Sequence, residues 1–199
     1  MFNFNFQTQL FKGFWRHETY GAIRQAAQRA NWIVDVGAGS GELCILVAKL
    51  KNVTRIIAIE SDQAMIKSLQ AKIDLNDILY NDIMSGRIEI IEKSIGTQNG
   101  DKHLTLDQLN IDHSLHGFIK IGVDGSEFEV LISGQQLLSY VNVDILVELH
   151  SSELERNCVH FLEDVGYTCR TIKNAWWRSL DREQRSCEHR RWLFAAPRL

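Results

Sequence analysis

Residues 32–42, Trp-Ile-Val-Asp-Val-Gly-Ala-Gly-Ser-Gly-Glu, constrain the chain more than any other stretch. A β-branched, apolar run reads as a buried strand. It breaks into three glycines on alternate positions before helix-forming residues resume. Such glycines take up torsions that other residues resist and let a ligand come close to the backbone. The amides of the loop and of the helix start are expected to face that ligand. A dinucleotide loop would read G-x-G-x-x-G, with its last glycine at position 42. Glu42 stands there instead, and its charge repels a pyrophosphate.

Glu60 closes the next apolar run, Arg55–Ile59. A carboxylate at the end of a second strand can accept hydrogen bonds from both hydroxyls of a ribose. The plainer alternative is a surface acid capping the following helix, a task for which Ser61 and Asp62 already suffice. Loop and acid together fit a nucleoside that carries no phosphate.

From Asn31 onward, strand-like runs alternate with helical patterns. The expected strands are Trp32–Val36, Arg55–Ile59, Arg87–Ile91, Phe118–Val123, Asp144–Leu149, Tyr167–Ile172 and Arg191–Ala195. The expected helices are Gly41–Lys51, Asp62–Asn76, Ser126–Tyr140 and Glu153–Val165, with Gly166 as a left-handed helix end. No helix separates the last two strands, so they should pair antiparallel. The fold class is α/β: a doubly wound, mostly parallel, seven-stranded sheet with an antiparallel last strand. Two parts are expected, an N-terminal aromatic arm and helix over residues 1–30 and the domain proper over 31–199. Five of the nine phenylalanines (Phe2, Phe4, Phe6, Phe11, Phe14) lie in the arm. It either covers the ligand site or an apolar partner, or docks on its own domain or on a second copy as a homodimer contact.

Composition removes several function classes. With 22 basic and 25 acidic side chains the formal charge is −3, without the basic excess of a dedicated nucleic-acid binder. No apolar run reaches the length of a transmembrane segment. The start of the chain lacks the marks of a signal peptide, and the four cysteines show no paired spacing, so a cytoplasmic protein with reduced thiols is expected. The lone proline, Pro197, excludes DNA methylation motifs that are built on prolines.

At these residues the chain resembles class I S-adenosylmethionine-dependent methyltransferases. The run Thr105–Leu109, the segment Phe118-Ile-Lys-Ile-Gly-Val-Asp-Gly-Ser-Glu127, Val130-Leu131 and Leu146-Val-Glu-Leu-His150 are similar to the FkbM-type family. The resemblance implies a Rossmann-like methyltransferase fold and S-adenosyl-L-methionine as cofactor. Gly37, Ala38, Gly39 and Gly41 would underlie its amino-acid portion, with Asp35 near its amino group. Glu60, beside Ser61, would hold the ribose, and Lys93, Ser94 and Ile95 would meet the adenine. The family usually reads Lys-Ile-Asp-Val-Glu-Gly. Here Gly122 replaces its Asp, and Asp124 stands where its Glu does.

Catalytic candidates are Asp124, Glu148 and His150, with Glu127 nearby, all expected at the carboxyl ends of neighbouring strands. They would act as a base toward a hydroxyl acceptor. A divalent metal is the less favoured alternative, and no residue is assigned as a ligand. Purely structural hydrogen bonding is the bland alternative. His17 could fold over the pocket. The Lys173–Arg190 connection, with Trp176, Trp177, Arg178, Arg182 and Arg185, either grips an acceptor or forms a solvated turn. The expected reaction is O-methylation of a small molecule or saccharide. The rivals are a cofactor-binding protein without turnover, a ribose-directed RNA methyltransferase and an NAD-dependent oxidoreductase.

Overall fold

Seven strands align in the order β3-β2-β1-β6-β7-β9-β8. They are β1 (Trp32–Val36), β2 (Arg55–Ile59), β3 (Ile88–Ile91), β6 (Gly117–Ile121), β7 (Val143–Leu149), β8 (Tyr167–Ile172) and β9 (Arg191–Pro197). The computed structural model describes residues 17–98, 100–140, 142–173 and 191–198. β9 runs antiparallel to both β7 and β8, and every other pairing is parallel. The expected sheet is therefore present, its last strand inserted between the two before it.

Period-two alternation gives the sheet two apolar faces. Val34, Val36, Ile57, Ile59, Ile119, Ile121, Ile145 and Val147 pack against α5 (Glu127–Ile132), α6 (Gln135–Ser139) and α7 (Ser152–Asp164). Ile33, Ile56, Ala58, Phe118 and Leu146 pack against α1 (Tyr20–Arg29), α2 (Glu42–Val47), α3 (Gln63–Asp74) and α4 (Asp77–Met84). Each large apolar side chain so buried contributes about 1.5–3 kcal/mol.

Three details differ from expectation. The segment 126–140 is two helices rather than one. The break at Ser133-Gly134 accommodates the turn at 105–108: Ser133 Oγ accepts from Leu106 N, and its carbonyl accepts from Asp107 N. A Cβ on Gly134 would lie 2.8 Å from Leu106, so the helix yields to this packing. Second, Asn76 does not end a helix but starts α4, its carboxamide oxygen accepting from Ile78 and Leu79 N–H. Third, β4 (Ser94–Ile95) and β5 (His103–Leu104) form a small separate sheet.

At the end of the sheet opposite the glycine loop, Arg29 of α1 clasps buried Asp144 with hydrogen bonds of 2.6 and 2.8 Å. His116 Nε2 meets the same carboxylate at 3.1 Å and its Nδ1 meets Asn142 at 2.9 Å. The hydrogen bond His116 gives to Asp144 raises its pKa above the ordinary 6.5.

Candidate cofactor and acceptor site

The carboxyl ends of β1, β2, β6 and β7 bring the candidate residues to one end of the sheet. Gly37, Gly39 and Gly41 all have positive φ, so the loop depends on their missing side chains. A Cβ on Gly37 would lie 2.0 Å from the Gly122 carbonyl oxygen, and one on Gly41 would lie 2.2 Å from Leu69 Cδ1. At Gly39 the nearest atom would be Glu42 Oε2 at 3.9 Å, so this glycine opens onto space.

Four of the loop amides do not stand ready for a ligand as expected. Gly37 and Ala38 N–H both donate to the Ile59 carbonyl, Gly41 N–H to Ala38 and Gly39 N–H to Glu60 Oε2 at 2.8 Å. The reason is local: a short αL-rich turn against the end of β2 finds acceptors within itself. An anion would have to displace these bonds, so the loop is a poor phosphate cradle.

Glu60 also accepts from Ser61 N–H at 2.8 Å and Asp62 N–H at 2.9 Å, both on Oε1. An ionised carboxylate offers about four lone-pair sites. Three are taken, which leaves Oε2 room for one more donor. Lys72 of α3 straps the loop from outside, its Nζ 2.9 Å from the Ser40 carbonyl and 3.4 Å from Glu42.

Asp35 lies deeper than expected. β1 and β6 are in register at Asp35 and Lys120, and Lys120 Nζ sits 3.0 Å from Asp35 Oδ1, the two side chains 4% and 2% exposed. The same ammonium donates to the Gly37 carbonyl at 2.7 Å. Asp35 therefore reaches the loop through Lys120. Ser94 Oγ is engaged by His103 Nδ1 at 2.9 Å, and Ile95 is buried in the core, so its side chain turns away from any ligand.

Beyond β6, His150 follows directly after β7. Its Nε2 is 3.2 Å from Asp124 Oδ1, and its Nδ1 is hydrogen-bonded to Glu127 Oε1. Glu127 opens α5, is fully buried and also accepts from Gly125 N–H at 3.0 Å. Asp124 is 79% exposed at its side chain. The Glu127 hydrogen bond, outweighing burial and aided by the charges of Glu127, Glu148 and Asp124, raises the pKa of His150. Burial pushes the neighbouring Cys158 thiol up to about 12, with Glu127 adding to the shift, so it stays protonated at neutral pH.

The structure thus brings Asp124 and His150 together and adds Glu127 as the third member. Sequence spacing undervalued Glu127 because it starts a helix, where an acid reads as a favourable first-turn charge. Glu148 Oε2 lies 3.3 Å from where a Cβ on Gly122 would sit, beside Lys120 Nζ at 3.0 Å from the same point. Among the described residues, no group of three or more His, Cys, Asp or Glu could hold a metal ion. His17's side chain and the 174–190 connection lie outside the described residues.

No protein-family model matches the chain, and no curated protein matches it by sequence. Solved structures do resemble it. A methyltransferase FkbM from Methylobacillus flagellatus matches with a TM-score of 0.65 at 19% identity, over 83% of this chain and 44% of its own. The chain thus spans less than half the length of that relative. A Streptococcus mutans protein assigned as a methyltransferase and solved with S-adenosylhomocysteine (SAH) matches at 0.59 and 9% identity, over 89% of this chain and 96% of that one. An rRNA methylase from Streptococcus thermophilus matches at 0.52 and 11%, over 92% and 95%. With strand order, antiparallel β9 and glycine loop in place, the chain has the Rossmann-like fold of class I methyltransferases.

Proposed function

We propose that residues 31–199 bind S-adenosylmethionine and transfer its methyl group to a hydroxyl oxygen of a small molecule or saccharide. Residues 1–30 are read as an aromatic arm and helix, the helix α1 packed on the sheet and the arm docking on its own domain or on a second copy as a homodimer contact, and the protein is read as cytoplasmic. Among the described residues no helix is long and apolar enough to cross a membrane. The observation that carries the functional reading is a loop in which the amides of Gly37, Ala38, Gly39 and Gly41 are satisfied internally, set beside the Glu60 carboxylate. This pairing suits a cofactor with a ribose and no phosphate, and it disfavours NAD.

Glu60 is the ribose anchor, with Ser61 at its side. Gly37, Ala38, Gly39 and Gly41 form the floor, braced by the Asp35–Lys120 pair. Lys93, Ser94 and Ile95 bound the adenine side, Ile95 through its backbone. When bound, S-adenosylmethionine supplies a methyl group already activated on sulfur. The chain must align the acceptor, a contribution of roughly 7–11 kcal/mol where geometry is good, and remove its proton. His150 Nε2 takes that proton. Asp124 and Glu148 orient the acceptor and stabilise the imidazolium.

A cofactor-binding protein without turnover is the second reading, favoured by Gly122 in place of an acid. Ribose methylation of RNA is a third, kept by the likeness to an rRNA methylase and weakened by the carboxylates at the acceptor side. Calorimetric titration with S-adenosylmethionine and SAH, with NAD as control and with and without magnesium, tests the reading. Binding of the first two and not NAD is expected. Methyl transfer from labelled cofactor to saccharides then separates turnover from binding alone. Absence of binding in every run overturns the proposal.

A further inference from the structure

We propose that Glu127 is the positioning residue of the acceptor side, holding His150 by Nδ1 so that the buried Nε2 is turned toward exposed Asp124, which acts as a displaceable cover. The inference rests on the methyltransferase reading and deepens it. The arrangement is asymmetric. Glu127 is fully buried at the first turn of α5, fixed by Gly125 N–H, and one of its oxygens meets Nδ1. Its other oxygen, Oε2, is buried and has no hydrogen-bond partner among the described residues. Its negative charge is therefore poorly dissipated, and the imidazole is the group placed to offset it. Asp124, by contrast, is 79% exposed at its side chain and meets the ring at Nε2, 3.2 Å away, an atom that is itself buried and makes no hydrogen bond among the described residues.

A ring held at Nδ1 by a carboxylate carries its proton there when neutral and presents a bare Nε2. An acceptor hydroxyl that displaces Asp124 from Nε2 would give its proton to that nitrogen. The O–H bond breaks and N–H forms; the freed oxygen pair would then form a bond to the methyl group that S-adenosylmethionine supplies when bound, as that group's bond to sulfur breaks and SAH leaves. Glu127 does not take the proton; it stabilises the imidazolium left behind. Because the Glu127 hydrogen bond, with the charges of Glu127, Glu148 and Asp124, favours the protonated ring, the resting state holds the proton to a higher pH than a free histidine, so transfer should accelerate as pH rises through the titration of His150. Cys158, next to Glu127, remains a thiol and does not compete for this proton.

Nitrogen-15 NMR of the imidazole rings in the full chain tests the proposal without an acceptor, with the His150 ring assigned by through-bond correlation to its own backbone in the unaltered chain. At high pH the unaltered chain should show His150 with its proton on Nδ1, and its titration midpoint should lie above that of an exposed histidine. In E127Q the midpoint should fall by about one unit, the loss of one charge-assisted hydrogen bond, and E127D should recover part of the difference. A neutral ring protonated on Nε2 in the unaltered chain overturns the proposal even if every variant fails to fold. So does an unchanged midpoint in a folded E127Q. Titration of the unaltered chain with SAH is read separately: if SAH does not bind, the functional reading falls while the NMR result still decides whether Glu127 sets the ring.

Discussion

A single carbonyl oxygen, that of Gly122, sets what the first loop residue can be. At Gly37 an added methyl group meets that oxygen at 2.0 Å on a backbone already at positive φ, whereas at Gly39 only the torsion is at stake. Gly39→Ala should therefore cost about 1–2 kcal/mol of stability. Gly37→Ala should cost clearly more and abolish SAH binding, as thermal melts and calorimetry would show. Glu60→Gln replaces an all-acceptor group by one that must turn a donor toward other donors. SAH affinity should fall roughly tenfold or more, since hydrogen bonds to charged groups contribute about 1.5–3 kcal/mol each. An affinity within twofold of the parent would remove Glu60 from the site. These glycines and Glu60 were legible in the sequence because their spacing follows from backbone geometry. The Asp35–Lys120 pair was not, since it arises from strand register between β1 and β6, 85 positions apart.

The helices owe their starts to short polar side chains. Asp62 accepts from Ala64 and Met65 N–H at the start of α3, the helix whose Lys72 straps the glycine loop. Asp62→Ala should cost about 0.5–2 kcal/mol, read as a shifted urea midpoint. It should also weaken SAH binding if α3 transmits order to Ser40. The strands and the α7 stripe could be read from periodicity alone. The break between α5 and α6 could not, because it is imposed by a turn more than twenty residues upstream that docks on Ser133 and Gly134. The same holds for Glu127 and His150: each lies at the edge of an element, and only the closing of β6 against β7 makes them neighbours.

Across the whole molecule, the two ends of the sheet carry different ion clusters. The Arg29–Asp144–His116 cluster ties α1 to β6 and β7 at the end away from the loop. The pKa of His116 is raised in the folded state, so its contribution is full below about 6.5 and is lost as pH climbs through the raised folded value. Asp144, Asn142 and Arg29 are the groups that act on it, and Arg29 opposes the shift. Urea midpoints should therefore fall from mildly acidic to mildly alkaline pH, and His116→Gln should flatten that slope. Asp144→Asn should cost about 1.5–3 kcal/mol, because half-exposed Arg29 can turn to water instead of remaining stranded. At the other end, the contact of Gly37 with Gly122 joins the glycine loop to the segment after β6 through main chain alone. Side chains cannot be exchanged across such a seam, so neither half can be remodelled without the other. On the proposed methyl-transfer reading, a change of acceptor would have to be made along β7 and the residues that follow it, with the β1–β6 junction left as it is.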